Sequence, residues 1–385
     1  MSVLDISKLL SLMIEHDSSD LYLTVDSPPM YRINGNIRPA GNRLLEQQDT
    51  ETLANSIMSD KQQREFLEHN EMNLGLYYNS LGRFRVNVFR QRNCIGMVIR
   101  QIKSNIPTID DLALPQILKE VSLTKRGLVL VVGATGSGKS TSLASMIDYR
   151  NATTAGHIVT IEDPIEFVHA HKKSIVTQRE IGMDTASLGA ALKNSLRQAP
   201  DVILIGEIRD TETMEAAIAF AETGHLCFAT LHSNNANQAL ERVMNFFPPE
   251  RHAQIYMQLS LNLRGIISQR LIKTIDGNRC AAIEILLDSP RVKDLINKAQ
   301  IGELKEAMEK STNVGMQTFD QHLYDLYKSG KISLDEAVKN ADSANNLRLR
   351  VKLAEEGGFE DKGPGKKNAS KQAKTEAGLK LSADS

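Results

Sequence analysis

The chain of 385 residues is poor in cysteine and has neither a long apolar run nor a surplus of charge. Its three cysteines, Cys94, Cys227 and Cys280, lie far apart and form no C-x-x-C pair. That excludes a disulfide framework and a paired-cysteine zinc site, and it fits buried thiols in a reducing compartment. No apolar stretch reaches the roughly 18 residues of a membrane-spanning helix. The N-terminus sets Asp5 and Lys8 among scattered apolar residues. It has no basic segment and no small-residue cleavage site, so it does not read as a signal peptide. A cytoplasmic protein is expected. The net charge of −1 points to no nucleic acid or anionic membrane as a partner of the whole surface. No segment interleaves basic and aromatic residues as single-strand binders do, so no nucleic acid is expected. No internal repeat is visible.

What is present is an ordinary balance of 41% hydrophobic and 24% charged residues, enough for two domains that each bury a core. Residues 1–103 read as a small α+β domain. Its pattern predicts a helix over 3–16, strands over 20–25, 30–33 and 36–38 with Asn34-Gly35 as a hairpin turn, a helix over 49–69, and strands over 74–78, 83–89 and 96–102. Residues 104–111, with Pro107, read as a linker. From 112 to 290 strands alternate with helices: strands at 128–132, 157–161, 201–205 and 226–230, helices at 140–150, 187–197 and 211–222. That alternation predicts a mainly parallel sheet covered by helices. Helices are then expected over 236–245 and 250–272, with a strand over 279–286. Residues 291–354 read as a helical region, with helices at 291–310, 316–329 and 333–340. Residues 355–385 are rich in Gly, Lys, Ala and Ser with almost no large apolar side chain. Such a segment cannot offset its ordering entropy, and disorder is expected.

The most informative segment is Gly133-Ala134-Thr135-Gly136-Ser137-Gly138-Lys139-Ser140-Thr141, between the apolar run Leu128–Val132 and a helix-compatible stretch. This is strand, glycine-rich loop and helix start at the G-x-x-x-x-G-K-[ST] spacing. Glycines let successive backbone N–H groups converge on phosphate oxygens, and the helix N-terminus adds its positive dipole end. Lys139 is placed to reach the β- and γ-phosphates and Ser140 to ligate Mg²⁺. ATP and Mg²⁺ are the expected ligands.

Three further signals fall at strand ends. Asp201-Val202-Ile203-Leu204-Ile205-Gly206-Glu207 is an apolar strand ending in a carboxylate, at the sheet edge where open α/β sheets bind ligands. Glu207 suits the holding of Mg²⁺ or its water. Thr160-Ile161-Glu162-Asp163-Pro164-Ile165-Glu166 brings two more acids to that edge. Hydrolysis needs a carboxylate to orient or activate water; Glu162 is the first candidate and Asp163 the second, and spacing alone equally allows a turn in which Asp163 caps backbone N–H groups. His225 and His232 bracket the strand from Leu226. His232 lies at the carboxyl edge, where it could sense the γ-phosphate, although an isolated histidine is more often a core or capping residue. The first domain adds Arg83, Arg85, Arg90, Arg92 and Arg100, which either stabilise phosphate charge from a domain or subunit boundary or form a solvated strand face.

The blocks GATGSGKST, TIEDPIEFVH, DVILIGEIRD and TGHLCFATLH, in this order, resemble the secretion ATPase superfamily of type II and type IV systems, and within it the type IV pilus retraction ATPases of the PilT and PilU type. The resemblance spans about residues 1–345. It implies a PAS-like domain at 1–103, a RecA-like P-loop ATPase domain at 112–290, and a homohexameric ring at the cytoplasmic base of a pilus machine, peripheral to the inner membrane. It implies ATP bound between domains and neighbouring subunits, with Gly133 to Thr141, Asp163 and His225 on the nucleotide and Arg85, Arg90 and Arg100 reaching its phosphates. Glu162 matches the family's catalytic carboxylate, Glu207 the Walker B glutamate that also serves the metal with Ser140, and His225 and His232 the His-box histidines, His232 being the catalytic candidate. Assembly ATPases similar to this chain carry a longer N-terminal region and a paired C-x-x-C insertion, both missing here. The PilT-type motif AIRNLIRE stands here as Pro290-Arg291-Val292-Lys293-Asp294-Leu295-Ile296-Asn297, and there is an extra polar tail. Both departures suggest the PilU type, which implies a PilT-type ATPase and the inner-membrane platform protein as partners. The leading expectation is a retraction motor. The alternatives are an accessory ring with weak turnover and, less favoured, a nucleic-acid motor.

Overall fold

The structure, a computed structural model, describes residues 5–78, 81–102 and 105–355. Most of the stretch expected to be disordered, 356–385, lies outside them. Glu355 itself ends a helix.

The first sheet is antiparallel, with six strands in the order β3-β2-β1-β6-β5-β4: β1 (Asp20–Leu23), β2 (Met30–Ile33), β3 (Asn36–Pro39), β4 (Glu71–Tyr78), β5 (Gly82–Gln91) and β6 (Cys94–Ile102). Helices α1 (Ile6–Glu15), α2 (Gln47–Ile57) and α3 (Asp60–His69) accompany it. Strand period dictates the burial: Phe84, Val86 and Val88 of β5 are fully buried, while Arg83, Arg85 and Asn87 point the other way. The single helix expected over 49–69 is two. Met58 is extended, and Ser59 restarts the helix with a capping box to Gln62, a start signal inside what periodicity alone joins.

Helix α4 (Ile117–Ser122) leads into the second sheet, seven strands in the order β13-β12-β7-β11-β10-β8-β9. The strands are β7 (Gly127–Val132), β8 (Gly156–Glu162), β9 (Ser174–Glu180), β10 (Val202–Ile205), β11 (Leu226–Leu231), β12 (Leu263–Lys273) and β13 (Arg279–Leu287). All pairings are parallel except β12 with β13. Its helices are α5 (Lys139–Thr153), α6 (Leu188–Ser195), α7 (Thr211–Glu222), α8 (Ala236–Met244) and α9 (His252–Asn262). Both faces are covered: along β7, Leu128, Leu130 and Val132 enter one core cluster and Val129 and Val131 the other, which is why a parallel strand reads as a continuous apolar run.

The helix expected over 250–272 is corrected. It stops at Asn262, and Leu263–Lys273 is a strand paired with β7 on one side and β13 on the other. Ile266 and Ile267 are β-branched, and Gly265 lies where a Cβ would come 3.0 Å from the Leu286 carbonyl oxygen. Pairing on both sides overrides the helical spacing of the apolar residues. The edge strand β9 and helix α4 were not anticipated.

The chain ends in α10 (Pro290–Asn297), α11 (Leu304–Glu309), α12 (Phe319–Lys328), α13 (Leu334–Asn340) and α14 (Ala344–Glu355). The helix expected over 291–310 breaks at Ala299, whose φ of 57° is left-handed. Phe319, Leu323 and Leu347 pack onto Ile272 and Ala282 of the β12–β13 pair. The two sheets meet where Arg85 Nε comes 4.0 Å from Glu180 Oε1. Beside that pair Gly75 lies against the Met183 side chain, whose terminal methyl would have to shift to admit a Cβ. No helix among the described residues is long and apolar enough to cross a membrane.

Candidate active site

The glycine-rich loop leaves the carboxyl end of β7 and delivers Lys139 as the first residue of α5. Gly138 has φ +87°, and a Cβ there would come 2.7 Å from Gln269 Nε2. Only glycine fits that approach. Gln269, buried on β12, is the loop's support: its Nε2 donates to the Ser137 carbonyl at 2.9 Å, and its Oε1 accepts from Ser142 Oγ at 2.7 Å. The Lys139 ammonium donates to the carbonyls of Gly133 and Ala134 at 2.7 and 2.9 Å. Burial pulls it below the usual lysine range, and Glu207 and Glu166 act against that shift. Ser137 Oγ is buried with no hydrogen-bond partner among the described residues. Sequence reasoning missed Gln269 because it lies in the segment read as helix.

Three parallel strands converge on this loop at their carboxyl ends. Glu162 closes β8, Glu207 follows β10 by two residues, and His232 follows β11. Glu207 Oε1 accepts from His232 Nε2 at 2.9 Å, and its Oε2 takes Arg209 through Nε at 2.8 Å and Nη2 at 2.7 Å. Arg209 Nη1 also lies 3.8 Å from Asp163 Oδ2. The motif reading omitted Arg209, although it stands two residues after Glu207. Glu162 Oε1 accepts from Thr160 Oγ1 at 2.7 Å and from Gln178 Nε2 at 3.1 Å. Burial raises the Glu162 carboxyl above the ordinary carboxylate range, while hydrogen bonds from Thr160, Gln178 and the Glu166 backbone act in the opposite direction. These residues line one cleft of about 660 Å³, with Thr135, Ser140 and the start of α6 on its walls.

The remaining expected residues lie elsewhere in the chain. His225 stands at the amino end of β11, at the opposite edge of the sheet, with Nδ1 3.0 Å from Thr223 Oγ1 and 3.2 Å from the Phe220 carbonyl. Arg100 bonds Asp20 at 2.8 Å within the first sheet. Arg90 stacks on Phe66 and donates to the Asn93 carbonyl. Neither lines the cleft. Arg85 alone of the three approaches the second sheet, at Glu180, whose Oε2 accepts from the Ile165 backbone N–H at 3.2 Å. Within one chain, then, the loop, Glu162, Asp163, Glu207 and His232 are brought together, and His225, Arg90 and Arg100 are not.

Oxygen donors, one ammonium and a glycine-rich turn at a helix start make a cleft suited to a polyphosphate and a hard cation. The protein-family model for "Type II/IV secretion system protein" matches residues 4–355. The chain is similar to the type IV pilus ATPase PilU of Pseudomonas aeruginosa, 55% identical over 354 residues that cover 92% of this chain and 93% of that one. It is also similar to the type IV pilus retraction ATPase PilT of the same organism, 43% identical over 344 residues covering 89% and 100%. Among solved structures, the pilus retraction motor PilT with bound ADP superposes with a TM-score of 0.84 at 43% identity, over 90% of this chain and 99% of that one.

Proposed function

Because the chain belongs to the type II/IV secretion system protein family, we propose that it is a Mg²⁺-dependent ATPase that drives type IV pilus retraction, a homohexameric motor of PilU type working beside a PilT-type ATPase. One observation carries this reading: Lys139, Glu162, Glu207 and His232 come from different strand ends and line a single cleft. In this reading residues 1–103 form a PAS-like domain and 112–290 a RecA-like ATPase domain. The ring sits on the cytoplasmic side of the inner membrane against the pilus platform protein.

The cleft fits the ligands. The loop's glycines leave its backbone N–H groups unobstructed by side chains, and Ser137 Oγ is buried with no hydrogen-bond partner among the described residues. Mg²⁺ keeps several waters and needs few protein oxygens; Ser140 and Glu207 would supply them. ATP would contribute the transferable phosphoryl group, and the metal would neutralise its charge. Lys139 binds the β- and γ-phosphates. Glu162 orients the attacking water and takes its proton, its raised affinity for a proton suiting it to that work. His232 holds Glu207 in place and reads the occupancy of the γ-phosphate position. Asp163 and Arg209 share the rim of the cleft with them. In this reading Arg85, Arg90 and Arg100 reach the nucleotide from a neighbouring subunit; within one chain they and His225 lie outside the cleft.

The PilU assignment rests on the higher identity to PilU than to PilT, 55% against 43%, and on the altered motif at Pro290 to Asn297. The test is ATP turnover and oligomeric state of the purified full chain, alone and with a PilT-type ATPase. A hexamer that hydrolyses ATP, and does so faster with the partner, is expected. A monomer indifferent to the partner would overturn the ring assignment.

A further inference from the structure

The carboxylate of Glu162 is held asymmetrically. Two side-chain donors, Thr160 Oγ1 at 2.7 Å and Gln178 Nε2 at 3.1 Å, both end on Oε1, and neither ends on Oε2; beside them the Glu166 backbone N–H also acts on the carboxylate. The register of the sheet builds this pairing. Thr160 and Glu162 are two residues apart on β8 and share a face. Gln178 of the parallel edge strand β9 is the register partner of Thr160. Thr160 is fully buried. Gln178 is itself fixed at both ends of its amide: Nε2 also donates to the Phe167 carbonyl at 2.8 Å, and Oε1 accepts from the His169 backbone N–H at 2.8 Å. With Oε1 given to both donors, its amide cannot turn over without losing three hydrogen bonds.

We propose that Thr160 and Gln178 are positioning residues that commit Oε1 of Glu162 to two hydrogen bonds and leave Oε2 as the atom that accepts the proton of the attacking water. The inference rests on the reading of Glu162 as the base in ATP hydrolysis. In that step the water oxygen forms a bond to the γ-phosphorus and the bond from that phosphorus to the bridging oxygen breaks. ADP leaves with the electron pair, and the water's proton passes to Oε2. A carboxylate free to rotate about its last bond offers either oxygen and many angles. One with a committed oxygen offers only the lone pairs of the other, which narrows the directions from which the proton can arrive and favours efficient transfer. Thr160 and Gln178 do not line the cleft; they act through Glu162.

The experiment compares Thr160→Val, Thr160→Ser, Gln178→Leu and Glu162→Gln in the full chain, measuring kcat and KM for ATP together with the melting temperature. Thr160→Val keeps the shape and removes the donor, and Thr160→Ser keeps the donor. Thr160→Val and Gln178→Leu are each expected to lower kcat about tenfold through loss of orientation, with KM for ATP within about twofold of the parent because ground-state binding is untouched. Thr160→Ser should recover most of the turnover. If Glu162→Gln is inactive while Thr160→Val and Gln178→Leu turn over normally, the positioning role is refuted and Glu162 keeps its place as the base. If Thr160→Ser is as impaired as Thr160→Val, the hydroxyl is not the cause and the inference also fails. If Glu162→Gln hydrolyses ATP normally, it is the assignment of the base itself that falls. Should Gln178→Leu fail to fold, the valine and serine pair at Thr160 decides alone.

Discussion

The two ends of β11 carry the same side chain in different company. At the amino end, His225 sits over the last turn of α7, its Nδ1 beside the Thr223 hydroxyl and the Phe220 carbonyl and its ring edge-on to Phe220 with centroids 6.1 Å apart. At the carboxyl end, His232 meets Glu207 at 2.9 Å beside the glycine-rich loop. Residue type does not separate them. In a parallel sheet every strand points the same way, so the loops that follow the strands gather at one edge and those that precede them gather at the other. Within one chain the first edge collects Lys139, Glu162, Glu207 and His232, whereas His225 completes a helix end.

Substitutions at the carboxyl edge should therefore remove turnover and spare stability, while those at the amino edge should do the reverse. The largest loss is expected for Lys139→Ala. It should abolish hydrolysis with an unchanged melting temperature, and normal turnover in a steady-state ATPase assay would end the phosphate-loop assignment. Glu162→Gln follows, with a loss of at least about a hundredfold in kcat if it removes a general base. Burial raises the Glu162 carboxyl, so the folded state holds its proton more tightly than the unfolded chain does. Its stabilising contribution is full below the unfolded-state pKa and is lost as pH rises through the higher folded-state value. Two consequences are measurable. The kcat profile should fall on its acid side at a pH above the ordinary carboxylate range, and Glu162→Gln should melt no lower than the parent at neutral pH. A marked drop in melting temperature would mean that the charge is structurally required.

His232→Ala should come third, lowering kcat about tenfold through the released Glu207. His225→Ala should leave the turnover of an assembled ring little changed if its role is the helix end, and should cost on the order of 1 kcal/mol in denaturant unfolding for one lost hydrogen bond. A large fall in turnover with stability intact would instead place His225 at a subunit boundary and sharpen the contrast from within one chain to between chains.

Much of this was legible in the residues. Three fully buried strands, β7, β10 and β11, and the largely buried β8 announce themselves as apolar runs ending in a loop or an acid, and the start of α7 is marked by Asp210, which caps Thr213. The strand β9 was hidden because Ser174–Glu180 is an edge strand of mixed character, burying the polar Ser174 and Glu180 beside Val176 while Ile175 faces out. The strand β12 was hidden because Leu263–Lys273 carries apolar residues at spacings that suit a helix as well as a strand, and only its neighbours on both sides decide between them. The site followed the same division. Residues in motifs were legible as candidates, and the residues that hold them in place, Gln178 and Gln269, sit on the two strands the pattern did not show. A glutamine in a strand carries no chemical signature of its own; its role comes from the register partner that pairing brings beside it.

Three consecutive residues of β12 have a mechanical consequence. Ser268 Oγ donates to the buried Glu284, which also takes the backbone N–H of Ala236 at the start of α8. Arg270 reaches the carbonyls of Asn234 and Asn340 and the carboxylate of Asp342. Gln269, between them and on the other face, carries the glycine-rich loop. One beam is thus loaded from both sides, by the nucleotide cradle on one and by the loop after His232 and the C-terminal helices on the other. Ser268 is paired on both edges, with Val132 of β7 and Glu284 of β13, and Gln269 and Arg270 continue the pairing with β13, so a push on either face is delivered to the other through a stretch of strand held in its sheet.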